Sequence, residues 1–113
     1  MYEYSCKLIR VLDGDTVDAL IDLGFDVWIK KRVRLYGINA PETRTRDIWE
    51  KEQGKVAKKR LEELLEGVDN KFILISKGVG KYGRCLGELL IGDHGEVHIN
   101  NLLLSEGLAE KYE

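Results

Sequence analysis

Val33-Arg34-Leu35-Tyr36-Gly37-Ile38-Asn39-Ala40-Pro41-Glu42-Thr43 is the stretch from which the fold reads outward. It begins as an alternating strand, with Val33 and Leu35 on one face and Arg34 and Tyr36 on the other. It ends at the chain's only proline. Proline fixes φ, has no N–H and pushes the preceding residue toward extended geometry, so the strand stops here and the chain turns. Glu42 stands directly past that turn, Arg34 on the strand before it, and Asn39 between them. Such a trio can hold a phosphate and a water in one polar pocket. An arginine and a glutamate at a strand exit can equally form a solvated surface ion pair.

Upstream, residues 3–12 carry Cys6, Leu8, Ile9, Val11 and Leu12 without helical spacing, which predicts a strand. Asp13-Gly14-Asp15-Thr16 supplies a hairpin-type turn. Val17, Ala19, Ile21 and Leu23 then alternate with Thr16, Asp18, Leu20 and Asp22, a half-buried second strand. Gly24-Phe25-Asp26 turns the chain into a third strand from about Val27 to Ile38. Its period puts Val27, Ile29, Val33 and Leu35 on one face, and Trp28, Lys30, Arg32, Arg34 and Tyr36 on the other.

Downstream the period changes. Ala57, Leu61, Leu64, Leu65 and Val68 recur at three- and four-residue spacing, opposite a face of Lys55, Lys58, Lys59, Arg60, Glu62 and Glu63. The helix starts either at Asp47, which has capping-box spacing to Glu50, or nearer Gly54, and Gly67 stands where a C′ glycine would end it. Phe72-Ile73-Leu74-Ile75 reads as a buried fourth strand, Gly78 to Arg84 as a glycine-rich loop, and Cys85 to Ile91 as the fifth strand. A short helix from Ile99 to Glu106 stops at Gly107. The result is a mainly β, α+β chain. Five strands, one long helix between strands three and four and a short C-terminal helix fit the partly open barrel called the OB-fold. A ubiquitin-like roll is the competing architecture.

The chain has 113 residues and 12.9 kDa, a single domain over 1–113 that can close a core without disulfides. Its mean hydropathy of -0.29 and hydrophobic fraction of 43% fit a soluble protein, and no segment reaches the apolar length of a membrane span. Cys6 and Cys85 lie far apart and have no metal-ligand partners at the usual spacing, so both are expected reduced and buried. With no leader visible, the expected compartment is the cytoplasm. The net charge of -2 and pI of 5.8 argue against coating nucleic acid by bulk charge. The distribution says more. Lys30, Lys31, Arg32, Arg34, Arg44 and Arg46 cluster about the opening stretch, and Lys77, Lys81 and Arg84 form a second group. A positive groove on an acidic body suits an enzyme that meets a polyanion at one place; solvated strand faces would give the same pattern.

Three polar clusters offer chemistry: Asp13 and Asp15 at a turn, Arg34 and Glu42 about Asn39, and Lys81, Tyr82 and Arg84 in a loop. Aspartates at such turns most often bond local backbone N–H groups. Together the clusters hold the parts of a metal-assisted phosphodiesterase: oxygen donors for a hard cation, a carboxylate to orient water, and guanidinium forks for phosphoryl charge. Zinc is not expected without a His/Cys cluster, and His94 and His98 are not expected to be catalytic.

The ordered set Asp13-Gly14-Asp15-Thr16, Val33-Arg34-Leu35 leading into Gly37 to Thr43, Lys81-Tyr82-Gly83-Arg84 and Glu106-Gly107-Leu108-Ala109 closely resembles the staphylococcal-nuclease-like (thermonuclease) family, from about Val11 to Ala109. The resemblance implies an OB-fold and a monomeric Ca²⁺-dependent endonuclease that cleaves single-stranded DNA and RNA, leaving 3′-phosphates. It implies that Asp15, Asn39 and the Ala40 backbone carbonyl are the metal ligands. Glu42 would act as general base, with Arg34 and Arg84 on the scissile phosphate and Lys81 and Tyr82 on a neighbouring one. The chain departs from the family pattern at Asn39, where an aspartate is usual, which lowers the charge of the metal site. It also has a single tyrosine, Tyr112, in place of the tail's tyrosine pair, as the residue to stack a base. These departures leave room for an alternative, a weakened or inactive nuclease-like module that binds single-stranded nucleic acid or a protein partner.

Overall fold

The hairpin turn at Gly14 joins two strands, the second buried on both faces from Thr16 to Ala19, so its polar Thr16 and Asp18 are not exposed as the half-buried reading implied. In the computed structural model, which describes residues 2–80 and 83–112, these are β1 (Glu3–Asp13) and β2 (Thr16–Asp22). They are followed by β3 (Trp28–Leu35), β4 (Ile38–Asn39), α1 (Ile48–Glu66), β5 (Lys71–Val79), β6 (Cys85–Ile91), β7 (Val97–His98), α2 (Ile99–Ser105) and β8 (Glu110–Lys111). The main sheet runs β3-β2-β1-β5-β6-β7, and a parallel pairing of β3 with β6 joins its ends. Five strands thereby close into the OB-fold barrel, and the closing register sets Arg34 against Leu86.

Inward-facing Val17, Val33, Leu35, Leu74 and Leu89 fill the barrel. The amphipathic stripe of α1 buries Ala57, Leu61 and Leu65 against it, and α2 adds Ile99 and Leu103. Each such leucine or isoleucine contributes about 2 kcal/mol relative to exposure. Asn100, 2% exposed, is the most deeply buried polar residue among those described. Its Oδ1 accepts from Leu89 N at 3.1 Å, and its Nδ2 donates to the carbonyls of Tyr36 and Gly87 at 2.9 and 3.2 Å. One side chain thus ties α2 to both strands of the barrel closure.

The strand expected to reach Ile38 breaks at Tyr36-Gly37, where Gly37 takes φ +80, a left-handed conformation that costs glycine nothing. Beyond it, Ile38–Asn39 forms a separate ladder with β8, so the C-terminal tail is a strand that no sequence pattern announced. Val27 and Ile29 share a strand face with the buried Val33 and Leu35 but are themselves exposed, because the β2–β3 hairpin outruns the barrel. Helix α1 starts at the capping Asp47, whose carboxylate accepts from Trp49 N and Glu50 N. It ends at Gly67 as expected, but Gly67 caps in right-handed geometry, and Asp69 and Asn70 carry the left-handed turn. At α2 the left-handed glycine is present, at Gly107.

Both cysteines are unbonded; Cys6 is buried as expected but Cys85 is only half-buried. Desolvation pushes the Cys6 thiol up to about 12. Among the described residues no helix is long and apolar enough to cross a membrane.

Candidate functional site

The segment from Ala40 to Thr43 is held by three carboxylates from outside it. Asp15 Oδ2 accepts from Ala40 N at 2.8 Å, Asp13 Oδ1 from Thr43 N at 3.2 Å and Thr43 Oγ1 at 2.7 Å, and Glu50 Oε2 from Glu42 N at 3.2 Å. Pro41 has no N–H to satisfy, so every backbone donor of the turn is engaged. The aspartates of the β1–β2 turn, expected to bond local backbone, instead fasten a loop about thirty residues away. Glu50 likewise leaves the capping box open and reaches back to Glu42. Neither positioning role could be read without knowing that α1 docks against the hairpin turn.

Arg34 lies beside this clamp. Its Nη1 stands 3.1 Å from Asp15 Oδ2, and its Nη2 donates to Asn39 Oδ1 at 3.1 Å. The side chain is only 14% exposed, and the guanidinium sits 5.7 Å from the Tyr112 ring. Asp15 already receives Ala40 N on the same oxygen and Thr16 Oγ1 on the other, at 2.8 Å. Arg34 Nη1 is therefore close to Asp15 but out of line for a hydrogen bond. Among the described residues it is the buried side-chain nitrogen left without a hydrogen-bond acceptor.

Arg34, Asn39, Arg84 and Tyr112 line one cavity of about 440 Å³, floored by Leu35 and Leu86. Glu42 does not line it. Its exposed side chain lies in an adjoining depression of about 560 Å³, together with Asp47, Trp49 and Glu50, and Asn39 is the shared wall. The structure thus brings Arg34, Asn39, Arg84 and Tyr112 together and sets Glu42 next door. Lys81 and Tyr82 lie outside the described residues. His98 is structural: its Nδ1 caps α2 by accepting from Asn101 N at 3.1 Å, and its Nε2 meets Glu88 at 3.1 Å.

For a metal, the nearby donors are the Asp15 carboxylate, the Asn39 amide and the Ala40 carbonyl. Among the described residues no three His, Cys, Asp or Glu side chains converge as a metal-binding group. The oxygens suit a hard cation in kind. Their single formal charge is opposed by Arg34, so they suit it weakly.

The OB-fold barrel thus brings Arg34 and Arg84 to one cavity, an arrangement that suits an anion such as a phosphodiester. Residues 32–113 match the family model described as staphylococcal nuclease homologue, a span holding Arg34, Asn39, Glu42, Arg84 and Tyr112. The chain belongs to that family. It is also 30% identical over 118 residues to Protein ParB of Escherichia coli, an alignment covering 97% of this chain and 58% of ParB. The chain therefore spans little more than half the length of this curated relative.

Proposed function

We propose that this domain is a Ca²⁺-dependent endonuclease that hydrolyses phosphodiester bonds of single-stranded DNA or RNA and leaves 3′-phosphates. The observation that carries the proposal is the convergence of Arg34 and Arg84 on one cavity, with Arg34 Nη1 buried and without a hydrogen-bond acceptor among the described residues. A phosphodiester is the anion such a pair of forks fits, each offering paired donors to its oxygens.

In the proposed reaction Glu42 orients a water and takes its proton as the oxygen attacks phosphorus in line. Negative charge grows on the equatorial phosphoryl oxygens, where Arg34 and Arg84 stabilise it. The bond to the 5′-oxygen breaks, that oxygen is protonated, and a 3′-phosphate and a 5′-hydroxyl remain. The Asp13, Asp15 and Glu50 clamp keeps the Glu42 backbone from drifting during this step. Asp15, Asn39 and the Ala40 carbonyl would hold Ca²⁺, which when bound acts as a Lewis acid on the phosphoryl group and its attacking water.

The alternative, a module that binds single strands without cutting, is favoured by Asn39 and by the prior engagement of both Asp15 oxygens. Denatured DNA incubated with millimolar Ca²⁺ separates the two. The proposed enzyme cuts it, a chelator stops it, and Glu42→Gln cuts at least about a hundredfold more slowly. Equal cleavage by Glu42→Gln, or none by the wild type, leaves the binding module.

A further inference from the structure

Two depressions flank the Arg34–Arg84 cavity, and their charges are opposite. The one that shares Asn39 is walled by Glu42, Asp47, Glu50 and Glu110, with no lysine or arginine on its lining among the described residues. The one that shares Arg84 is an open groove of about 1010 Å³. Strands β1 and β3 give it Arg10, Lys30, Lys31 and Arg32, the turn after Pro41 gives Arg44, and α1 gives Lys58. Among the described residues its carboxylates are Asp13 and Asp18. On a chain of net charge -2 this concentration is local, and its sign is that of a polyanion site.

Neither carboxylate cancels the groove. Asp13 is turned to Thr43. Asp18 is 3% exposed and lies in one cross-strand row, opposite Arg10 on one side and Arg32 on the other. Its two oxygens take Nε of Arg10 and Nε of Arg32, each at 3.0 Å. The anion is buried while both guanidinium groups stay in contact with water, at 61% and 46% side-chain exposure. Asp18 therefore acts as a strut that presents two forks outward at fixed spacing. Lys30, Lys31, Arg44 and Lys58 form no ion pair among the described residues, so their charge is available to a ligand.

We propose that this groove is an extended single-strand binding track. It carries the phosphates that continue from the Arg84 side of the cavity, while the acidic depression beyond Asn39 repels a strand running the other way. The inference rests on the nuclease or strand-binding reading of the cavity and adds to it a direction and a length dependence. The partner is a single strand of nucleic acid, whose backbone flexes to follow the groove past Arg84.

The test is binding of labelled oligothymidylate in the presence of a chelator, so that nothing is cut. A long strand is compared with a dinucleotide, which carries one phosphodiester. Three proteins are used: wild type, Lys30→Gln/Arg44→Gln/Lys58→Gln, and the charge-matched control Lys51→Gln/Lys55→Gln/Lys59→Gln on the exposed face of α1. The groove variant is expected to lose about tenfold or more in affinity for the long strand, and its slope of log affinity against log salt falls by about 2, the share of three phosphate contacts on a single strand. Its dinucleotide affinity stays within about twofold of wild type, and the control stays within about twofold on both ligands. Equal losses in the groove variant and the control would reduce the effect to net charge and overturn the track, as would wild-type behaviour of the groove variant. Length-dependent binding that persists without any cleavage in Ca²⁺ would overturn the nuclease and leave the track standing.

Discussion

The α-carbon of Gly54 lies against the peptide of Glu42: a Cβ built there would come within 2.7 Å of the Glu42 carbonyl oxygen and 2.8 Å of that of Pro41. Glycine in mid-helix costs about 1 kcal/mol relative to alanine, so its presence in α1 marks a contact rather than a helix preference. The helix packs directly on the turn that carries the candidate base.

Gly54→Ala is therefore expected to destabilise despite alanine's better propensity, by about 1–3 kcal/mol in urea unfolding. It must displace two backbone carbonyls, and with them Glu42, so cleavage should fall by about tenfold or more in protein that is still folded. A variant as stable and as active as wild type would show that α1 can withdraw without moving the turn.

Asn39 joins the two depressions and hydrogen-bonds Arg34 through Nη2. Asn39→Asp adds a negative charge beside Asp15 and turns a neutral contact into an ion pair. The expected outcome is a fall of about tenfold in the Ca²⁺ concentration for half-saturation, read by direct titration of Ca²⁺ binding as well as by activity. An unmoved binding curve would remove Asn39 from the metal shell.

Asp18 gives the barrel an acid-sensitive element. The hydrogen bond from Arg32 holds its carboxyl below the usual value, against the opposing effect of burial and with further help from Arg10. A folded pKa below the unfolded one gives stability that is present above the unfolded value of about 3.9 and is lost as pH falls through the folded value. Because both guanidinium groups are largely in water, the contribution is about 1–2 kcal/mol rather than that of a buried pair. Asp18→Asn should be less stable than wild type by that amount at neutral pH, and the gap should close progressively as the solution is acidified below the unfolded value of about 3.9 and through the lower folded one. A gap that is independent of pH would assign the effect to packing.

Much of this was legible in the sequence because it is local. The hairpin turn between β1 and β2 and the stripe Ala57-Leu61-Leu65 each follow from spacing or backbone chemistry within a few residues. Arg34 and Arg84 were legible as candidates by type and order. What stayed hidden depends on tertiary docking. Asp13 and Glu50 look like turn and cap residues until α1 closes over the hairpin, and only then do they grip Thr43 and Glu42. Asn100 looks like one of two equivalent asparagines in a short helix, yet it alone faces the barrel closure. Tyr112 reaches Arg34 only because Ile38–Asn39 pairs with Glu110–Lys111, a ladder too short for any periodicity to reveal.

Arg34→Lys separates charge from geometry at the cavity. The guanidinium spans Asp15 Oδ2 and Asn39 Oδ1, each at 3.1 Å, and still presents a donor without an acceptor. One ammonium keeps the positive charge but cannot bridge both partners and also reach a phosphate, since its three donors radiate from one nitrogen. Cleavage is expected to fall by about a hundredfold or more, with the loss in kcat rather than in KM, because the missing donors act where charge develops. Stability to urea should change by about 1 kcal/mol or less, since Asp15 keeps its bonds from Ala40 N and Thr16 Oγ1. A lysine variant that cuts at the wild-type rate would mean that charge alone suffices at this position and that the unpaired Nη1 has no part in the reaction.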